Sequence, residues 1–597
     1  MSILKSLLVG FFGRLKSVGC PSPPVISCGA DQSAHDALRL VNDGNALEDQ
    51  GRLDEAMQCY EAAIRIAPTL ARAHLNRGNV LLAKNDGEGA VDAYLTALAD
   101  SPEYASAHFN LGNAYLQLNR SQAALSAYDA AIALKPDFVD AEVARGIALD
   151  DLGELAMSAE SSRRVLELKP DYTQAHSNLL FSHNYRVDQP ASLLLDDARA
   201  YGKLVGRLAR PHHVWANDPN PERCLRVGFV SDDLRKHPVG YFLEAVVAAL
   251  AAKCSERVEL FAYPGRLALD VVSQRIKAHC RGWHPTAGVS DEELARKIRE
   301  DGIDILVDLS GHTAGNRLPM FAWKPAPVQV SWLGYFATTG VSAIDYLIAD
   351  HWTVPATEEV NFTERLWRLP ETRLCFTAPD ERVDVGPLPA RGAGHFTFGC
   401  FNNLTKMNEA VVALWSRVLL AVPHSQLYLK AKQLTESSMR DNVLQRFAVH
   451  GIDASRLVME GQTSRADYLK AYQRVDIGLD PFPFPGGTTT VEALWMGVPV
   501  LTLPGDRFLS RQGVGLLMNV GLSEWIAADA DDYVARAVSH ASNPNQLALL
   551  RSTLRRDILA SPIFNAPRFA EHFECALRCM WRKWTSAQTP ASVRRQA

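Results

Sequence analysis

The chain is 597 residues long, 47% hydrophobic and 22% charged, with a net charge of −5. That length exceeds what one core holds together and implies several domains in a globular protein of ordinary composition. The mild negative charge excludes a nucleic-acid binder that works through bulk positive charge. Ten cysteines are scattered without a CxxC pair, and no run is long and apolar enough to span a bilayer. This usage fits a reducing compartment, and a cytoplasmic location is expected.

Residues 1–30 read as an amphipathic segment and linker. Ile3, Leu4, Leu7, Leu8, Phe11, Phe12 and Leu15 share one helical stripe, with Lys5, Arg14 and Lys16 elsewhere. No uninterrupted apolar core leads to a small-residue cleavage site. The segment is therefore expected to be a docking or interfacial helix with weak membrane contact rather than a secretory signal.

Residues 31–186 carry an internal repeat. Gly44, Gly78, Gly112 and Gly146 stand 34 residues apart, as do Pro68, Pro102, Pro136 and Pro170. Tyr60, Tyr94 and Tyr128 keep the same step, as do Ala56, Ala90 and Ala124. Glycine lets two helices approach, the aromatic fills the gap between layers, and proline stops the second helix. This is the tetratricopeptide (TPR) pattern, an α-solenoid, with a partial fifth copy from Tyr172 to Asn178. Asn42, Asn76, Asn110 and Asn178 occupy one repeat position on the first helix, and Ala144 breaks the series. A row of amides on the concave face suits an extended peptide backbone; the alternative is that these amides satisfy neighbouring turns. Either way the solenoid implies a protein or peptide partner.

After a helical connector at 187–222, strand and helix patterns alternate. Strands are predicted at 225–231, 258–263, 303–309, 328–332 and 346–348, in a lobe spanning 223–389. A second set lies at 396–401, 426–430, 456–460, 475–479 and 498–503, in a lobe spanning 390–585, with a tail at 586–597. The stretch 379–394 is rich in Pro, Gly and charge and suits an interlobe linker. Two α/β lobes of Rossmann type leave a cleft outside the carboxyl ends of their strands.

Candidate chemistry falls at those ends. His237 follows the first strand, His312 follows Asp308-Leu309-Ser310-Gly311, Gly334 ends the strand at Trp332, and Lys406 follows Phe401-Asn402-Asn403. The strongest motif is Gly486-Gly487-Thr488-Thr489-Thr490, a glycine turn opening a helix after the strand Val475–Leu479. Unpaired N–H groups and the positive dipole end of a helix suit a phosphate, and threonine hydroxyls add donors. Glu492, one turn in, is placed to accept hydrogen bonds from ribose hydroxyls. Asp529-Ala530-Asp531 has the form of a metal-binding carboxylate pair, but its turn-then-helix setting reads as capping. No His/Cys cluster has zinc spacing, and no metal is expected.

On these residues the chain resembles the protein O-linked N-acetylglucosamine transferases and their SPINDLY-type relatives. The likeness runs from the repeats to about Trp584. It is most specific at Arg226–Phe242, Gly311–Gly340, Phe396–Met407 and Asp480–Asn519, and the wording of Leu309–Thr313, Phe398–Asn403 and Ser561-Pro562 is nearer to SPINDLY. The resemblance implies a GT-B fold and an inverting, metal-independent transfer from a nucleotide sugar to Ser or Thr of proteins held by the repeats, without a cofactor. Carried over residue by residue, Lys406 neutralises the donor diphosphate and His237 lies near sugar and acceptor, with His312 on the same side. Asn403 and Gly334 touch the donor. Gly486, Gly487, Thr488 and Thr489 cradle the phosphates, Glu492 binds ribose, and Arg465 and Tyr468 flank the base. Arg465 and Tyr468 stand where Lys and His are usual, and Gly487 where the animal enzymes have His. UDP-N-acetylglucosamine is the expected donor and GDP-fucose the alternative. A repeat scaffold that has lost activity, and a small-molecule transferase that uses the repeats for assembly, are the readings from other classes.

Overall fold

The computed structural model describes residues 31–187 and 189–588; the amphipathic segment expected at 1–30 lies outside them. The chain divides into two compact units, with the boundary between Ala175 and His176.

The first unit is a run of helical hairpins: Asp31–Asp49 with Leu53–Ile66, Ala71–Ala83 with Gly87–Asp100, Ala105–Gln117 with Ser121–Leu134, and Val139–Leu152 with Leu155–Leu168. The period is enforced sterically. A Cβ at Gly44, Gly78 or Gly112 would lie 2.5 Å from the ring of Tyr60, Tyr94 or Tyr128 of the same hairpin. All three tyrosines are fully buried. In the fourth hairpin serine replaces the aromatic, and a Cβ at Gly146 meets nothing nearer than 3.6 Å.

The second unit begins within the helix Thr173–His183, earlier than the connector expected from residue 187. The reason is packing. Leu180 of that helix, and Tyr201 and Val205 of the next helix (Ala191–Leu208), are buried in one core with Ile298, Leu306 and Phe321. Gly202 and Gly340 let backbones meet there: a Cβ at Gly202 would fall 1.8 Å from the Gly340 carbonyl oxygen.

Two parallel sheets follow. The first contains β1 (Leu225–Ser231), β2 (Val258–Pro264), β3 (Gly282–Trp283), β4 (Ile305–Asp308), β5 (Val328–Ser331), β6 (Tyr346–Asp350) and β7 (Arg365–Leu369), in the order β3-β2-β1-β4-β5-β6-β7. The second contains β8 (Thr397–Cys400), β9 (Gln426–Lys430), β10 (Leu457–Glu460), β11 (Ile477–Leu479) and β12 (Val500–Leu501), in the order β10-β9-β8-β11-β12. Every strand pair is parallel. In both sheets the order reverses beside the first strand, between β1 and β4 and between β8 and β11. Ligands of doubly wound sheets bind outside the carboxyl ends at such switch points. The long last helix, Ala566–Gln588, returns to the first lobe, where Arg578 donates to the carbonyls of Pro221, Arg223 and Arg257.

Candidate functional site

The switch point of the second sheet is built around one carboxylate. Asp480, directly after β11 and 1% exposed, accepts the Gly486 N–H at 3.0 Å and the Thr490 hydroxyl at 3.1 Å. These bonds fold the loop back and aim the start of helix Thr488–Trp495 at the end of β8. Only glycine fits the turn, since a Cβ at Gly486 would lie 2.3 Å from Thr490 Oγ1 and 2.5 Å from Thr489 Oγ1. Gly487 stands at the N-cap and supplies no side chain to the first amides. The Thr488 hydroxyl is buried without a hydrogen-bond partner among the described residues. An uncapped helix start beside an unsatisfied buried hydroxyl is what an anion site requires before its ligand arrives.

From β8, Lys406 reaches the same place. Its Nζ donates to Pro485 O at 2.9 Å and to Asn402 Oδ1 at 3.2 Å, and lies 4.0 Å from the centroid of the Phe484 ring. Asn402 Oδ1 also accepts the Thr489 hydroxyl at 2.9 Å, which ties lysine and helix start together. Burial pulls the Lys406 ammonium down to about 8, against the opposing pull of Asp480. Asn403 caps the turn at Leu404–Lys406, its Oδ1 accepting the Thr405 N–H at 3.0 Å.

Arg465, Tyr468 and Glu492 come together beside the cradle. Glu492, 1% exposed, is paired with Arg465. The guanidinium lies 5.4 Å from the ring of Tyr241 and 5.5 Å from that of Tyr468. The carboxylate expected to meet ribose is thus charge-matched by Arg465 in this structure. Tyr241 belongs to the first lobe, so this contact spans the cleft. Phe336 against Phe484, with ring centroids 5.6 Å apart, spans it again.

On the first lobe His237 is the N-cap of helix Pro238–Lys253, and its Nδ1 accepts the Val239 N–H at 3.4 Å. Asp233 lies 3.5 Å from the same nitrogen and is itself paired with Arg235 at 2.8 Å. Burial, then the Arg235 charge, holds the imidazole well below its ordinary pKa. With Nδ1 accepting an amide, the proton of the neutral ring sits on Nε2, which is a donor in this arrangement.

His312 departs from its expected place. It is 1% exposed, packed between Tyr201 and Tyr335, with Nδ1 3.0 Å from Ser177 Oγ and Nε2 2.9 Å from the Thr339 carbonyl. Both nitrogens are spent inside the lobe, so it holds helix Thr173–His183 to the sheet rather than facing sugar or acceptor. Gly334 is likewise a packing requirement, because a Cβ there would fall 2.0 Å from Leu309 O. Asp529 caps the helix Ala530–Ala541, accepting from Asp531 N at 2.9 Å and Asp532 N at 2.8 Å.

In the repeats, Asn110 Nδ2 donates to Asn79 Oδ1 at 2.8 Å, where the Tyr94 hydroxyl also donates at 2.9 Å. The Asn76 and Asn45 amides meet at 2.6 Å beside Tyr60 in the same way. Asn76 and Asn110 are therefore buried inter-repeat ties, whereas Asn42 is exposed. Asn178 lies in the second unit, outside that row. The row Asn45, Asn79 and Asn113 carries the same 34-residue period and is absent from the candidates above. Asp480, Asn402 and Tyr241 are likewise absent from those candidates. The first two sit at the ends of β11 and β8, a position that was itself a signal.

A model described as glycosyl transferase family 41 matches residues 187–380 and 391–573. Tetratricopeptide models match 44–85, 75–137 and 109–173. The chain is 37% identical over 426 residues to a protein of Petunia hybrida named probable UDP-N-acetylglucosamine–peptide N-acetylglucosaminyltransferase SPINDLY, covering 70% of this chain and 45% of that one. With the SPINDLY of Arabidopsis thaliana it shares 38% identity over 426 residues, covering 70% and 46%. It thus spans less than half the length of these relatives. Among solved structures, a mutant O-GlcNAc transferase of Thermobaculum terrenum superposes with a TM-score of 0.74 at 31% identity, over 94% of this chain and 100% of that one. That likeness bears out the order of solenoid and two-lobed GT-B region.

Proposed function

Because the chain belongs to glycosyl transferase family 41, we propose that it transfers N-acetylglucosamine from UDP-N-acetylglucosamine to Ser or Thr hydroxyls of proteins engaged by its repeats. The observation that carries this reading is the convergence of the uncapped helix start at Gly487, the Thr488 hydroxyl, unpartnered among the described residues, and Lys406 at one sheet switch point. The donor is taken from the names of the related SPINDLY proteins.

In the reaction the acceptor oxygen forms a bond to the anomeric carbon on the face opposite the diphosphate. The bond from that carbon to the phosphate oxygen breaks, the electron pair leaves with the diphosphate, and the hydroxyl proton passes to solvent water. Negative charge grows where the helix dipole, the Thr488 hydroxyl and the Lys406 ammonium point. These groups bind the transition state more tightly than the ground state and take the part a divalent ion plays in metal-dependent transfer. His237 offers Nε2–H as a donor that orients sugar or acceptor. It does not take the hydroxyl proton in this tautomer.

A second reading, GDP-fucose as donor, is favoured by Arg465 at the base side. A guanidinium fork matches the paired acceptors of guanine, which uracil lacks. Thermal stabilisation by UDP and by GDP at equal concentration, without added metal, tests both. A ligand at about 100 times its Kd stabilises by roughly 2.7 kcal/mol. A UDP-selective shift supports N-acetylglucosamine transfer, a GDP-selective shift replaces it with fucose transfer, and no shift with either overturns both.

A further inference from the structure

Arg373, in the segment after β7, is a buried cation that the mechanism above does not use. It is 1% exposed. Its backbone N–H donates to Asp350 Oδ2 at 2.9 Å, and its carbonyl accepts the Trp332 indole N–H at 2.9 Å. Among the described residues the guanidinium has one hydrogen bond, from Nη2 to Gln512 Oε1 at 3.0 Å, while Nε and Nη1 are buried without partners there. Phe508 and Phe336 flank it, with ring centroids at 4.7 and 5.5 Å. The carboxylate of opposite sign acting on it is Asp350. Asp350 is already spent on the N–H groups of Trp352 and Thr353 and on the Thr353 hydroxyl.

A guanidinium with five donors and one acceptor, taken out of water, costs stability. Its surroundings show what offsets that cost. Gln512, on the other lobe, donates from Nε2 to Gly486 O at 3.4 Å, and a Cβ at Gly487 would lie 2.6 Å from the same nitrogen. One amide therefore connects Arg373 to the turn that opens the cradle. The Phe336–Phe484 pair stands between Arg373 on one side and Lys406 on the other. Two cations, one from each lobe, thus flank the pair of rings beside the uncapped helix start.

We propose that Arg373 is a positioning residue for the diphosphate of the donor: it holds Gln512 against the Gly486–Gly487 turn from the opposite lobe and adds a second fixed positive charge that the incoming anion balances. This rests on reading the cradle as a nucleotide-sugar site.

The test compares nucleoside diphosphate with nucleoside monophosphate, using UDP with UMP and GDP with GMP by titration calorimetry, alongside the melting temperature of the unliganded protein. Arg373→Met should weaken the diphosphate at least tenfold and the monophosphate less than threefold, with no fall in melting temperature, because a buried unpaired charge has been removed. Arg373→Lys, which keeps charge but not the fork, should fall between. A purely structural arginine would lower the melting temperature and leave the ratio of the two affinities at its wild-type value; that result overturns the proposal. Should Arg373→Met fail to fold, Gln512→Leu decides. It cuts the relay while leaving the guanidinium in place, and must itself shift the ratio at least threefold, an unchanged ratio being fatal. If the wild type binds no nucleotide, the donor-site reading fails and this inference with it.

Discussion

The Asp480 carboxylate accepts the Gly486 N–H at 3.0 Å and so sets the direction in which helix Thr488–Trp495 begins. The same carboxylate takes the Thr490 hydroxyl at 3.1 Å. Asp480→Ala leaves both donors buried without an acceptor, at about 1–3 kcal/mol each. The expected outcome is a stability loss of about 2–6 kcal/mol in denaturant unfolding, with UDP and GDP binding lost. A variant that unfolded as the wild type does and still bound nucleotide at full affinity would show that the turn needs no such anchor.

Lys406 gives the site a pH dependence of definite sign. Unliganded, it titrates at about 8 because burial disfavours the ammonium. An anion favours that ammonium, so binding takes up a proton once the pH passes this value. Diphosphate affinity should fall above neutrality, roughly tenfold weaker at pH 9 than at pH 7. Calorimetry in two buffers of different ionisation enthalpy reads both the affinity and the proton uptake. Lys406→Met should abolish the dependence and lower kcat by about 100- to 1,000-fold. Undiminished turnover in that variant would remove Lys406 from the mechanism.

His237 behaves differently. Burial and Arg235 hold its imidazole well below the ordinary histidine value. It is therefore neutral across the range where a histidine base would titrate. The pH profile of kcat/KM should lack an inflection from His237 between about pH 5.5 and 7.5. His237→Phe should lower the rate without changing the shape of the acid limb. An inflection near the ordinary histidine value that vanished in His237→Phe would make the residue a base after all.

How much of this was legible in the chain follows from what each signal reports. A strand buried on both faces is written mostly in apolar residues, so Val475–Leu479 could be read despite Asp476, and its carboxyl end located the cradle. The strand Arg365–Leu369 lies at a sheet edge, and its two arginines hid it. Position along the chain does not report direction. His312 follows a strand as His237 does, yet its ring turns inward to Ser177 and Thr339. Period likewise marks the Asn76 and Asn110 row and the Asn79 and Asn113 row but not that the two pair, because the tie from Asn110 to Asn79 spans 31 residues and closes only when hairpins stack. Arg373 carried no local signal at all, since its meaning lies in the bond it makes to Gln512 across the cleft.

The repeat unit offers a paired test of its packing rule. Gly78 and Gly146 occupy the same repeat position, and both lie inside helices. A methyl at Gly78 would press to 2.5 Å from the Tyr94 ring, which is fully buried and bonded through its hydroxyl to Asn79. Neither ring nor backbone can give way without breaking that bond, so Gly78→Ala should cost about 1–3 kcal/mol as an overpacked core does. At Gly146 the same methyl finds its nearest neighbour at 3.6 Å, an ordinary contact. There the gain in helix propensity operates alone, and Gly146→Ala should stabilise by about 0.5–1 kcal/mol. Helical unfolding of the isolated substitutions in the full chain, followed by circular dichroism, separates the two. Equal effects of the same sign would mean that the tyrosine lock does not set the repeat, and that the 34-residue period has another cause.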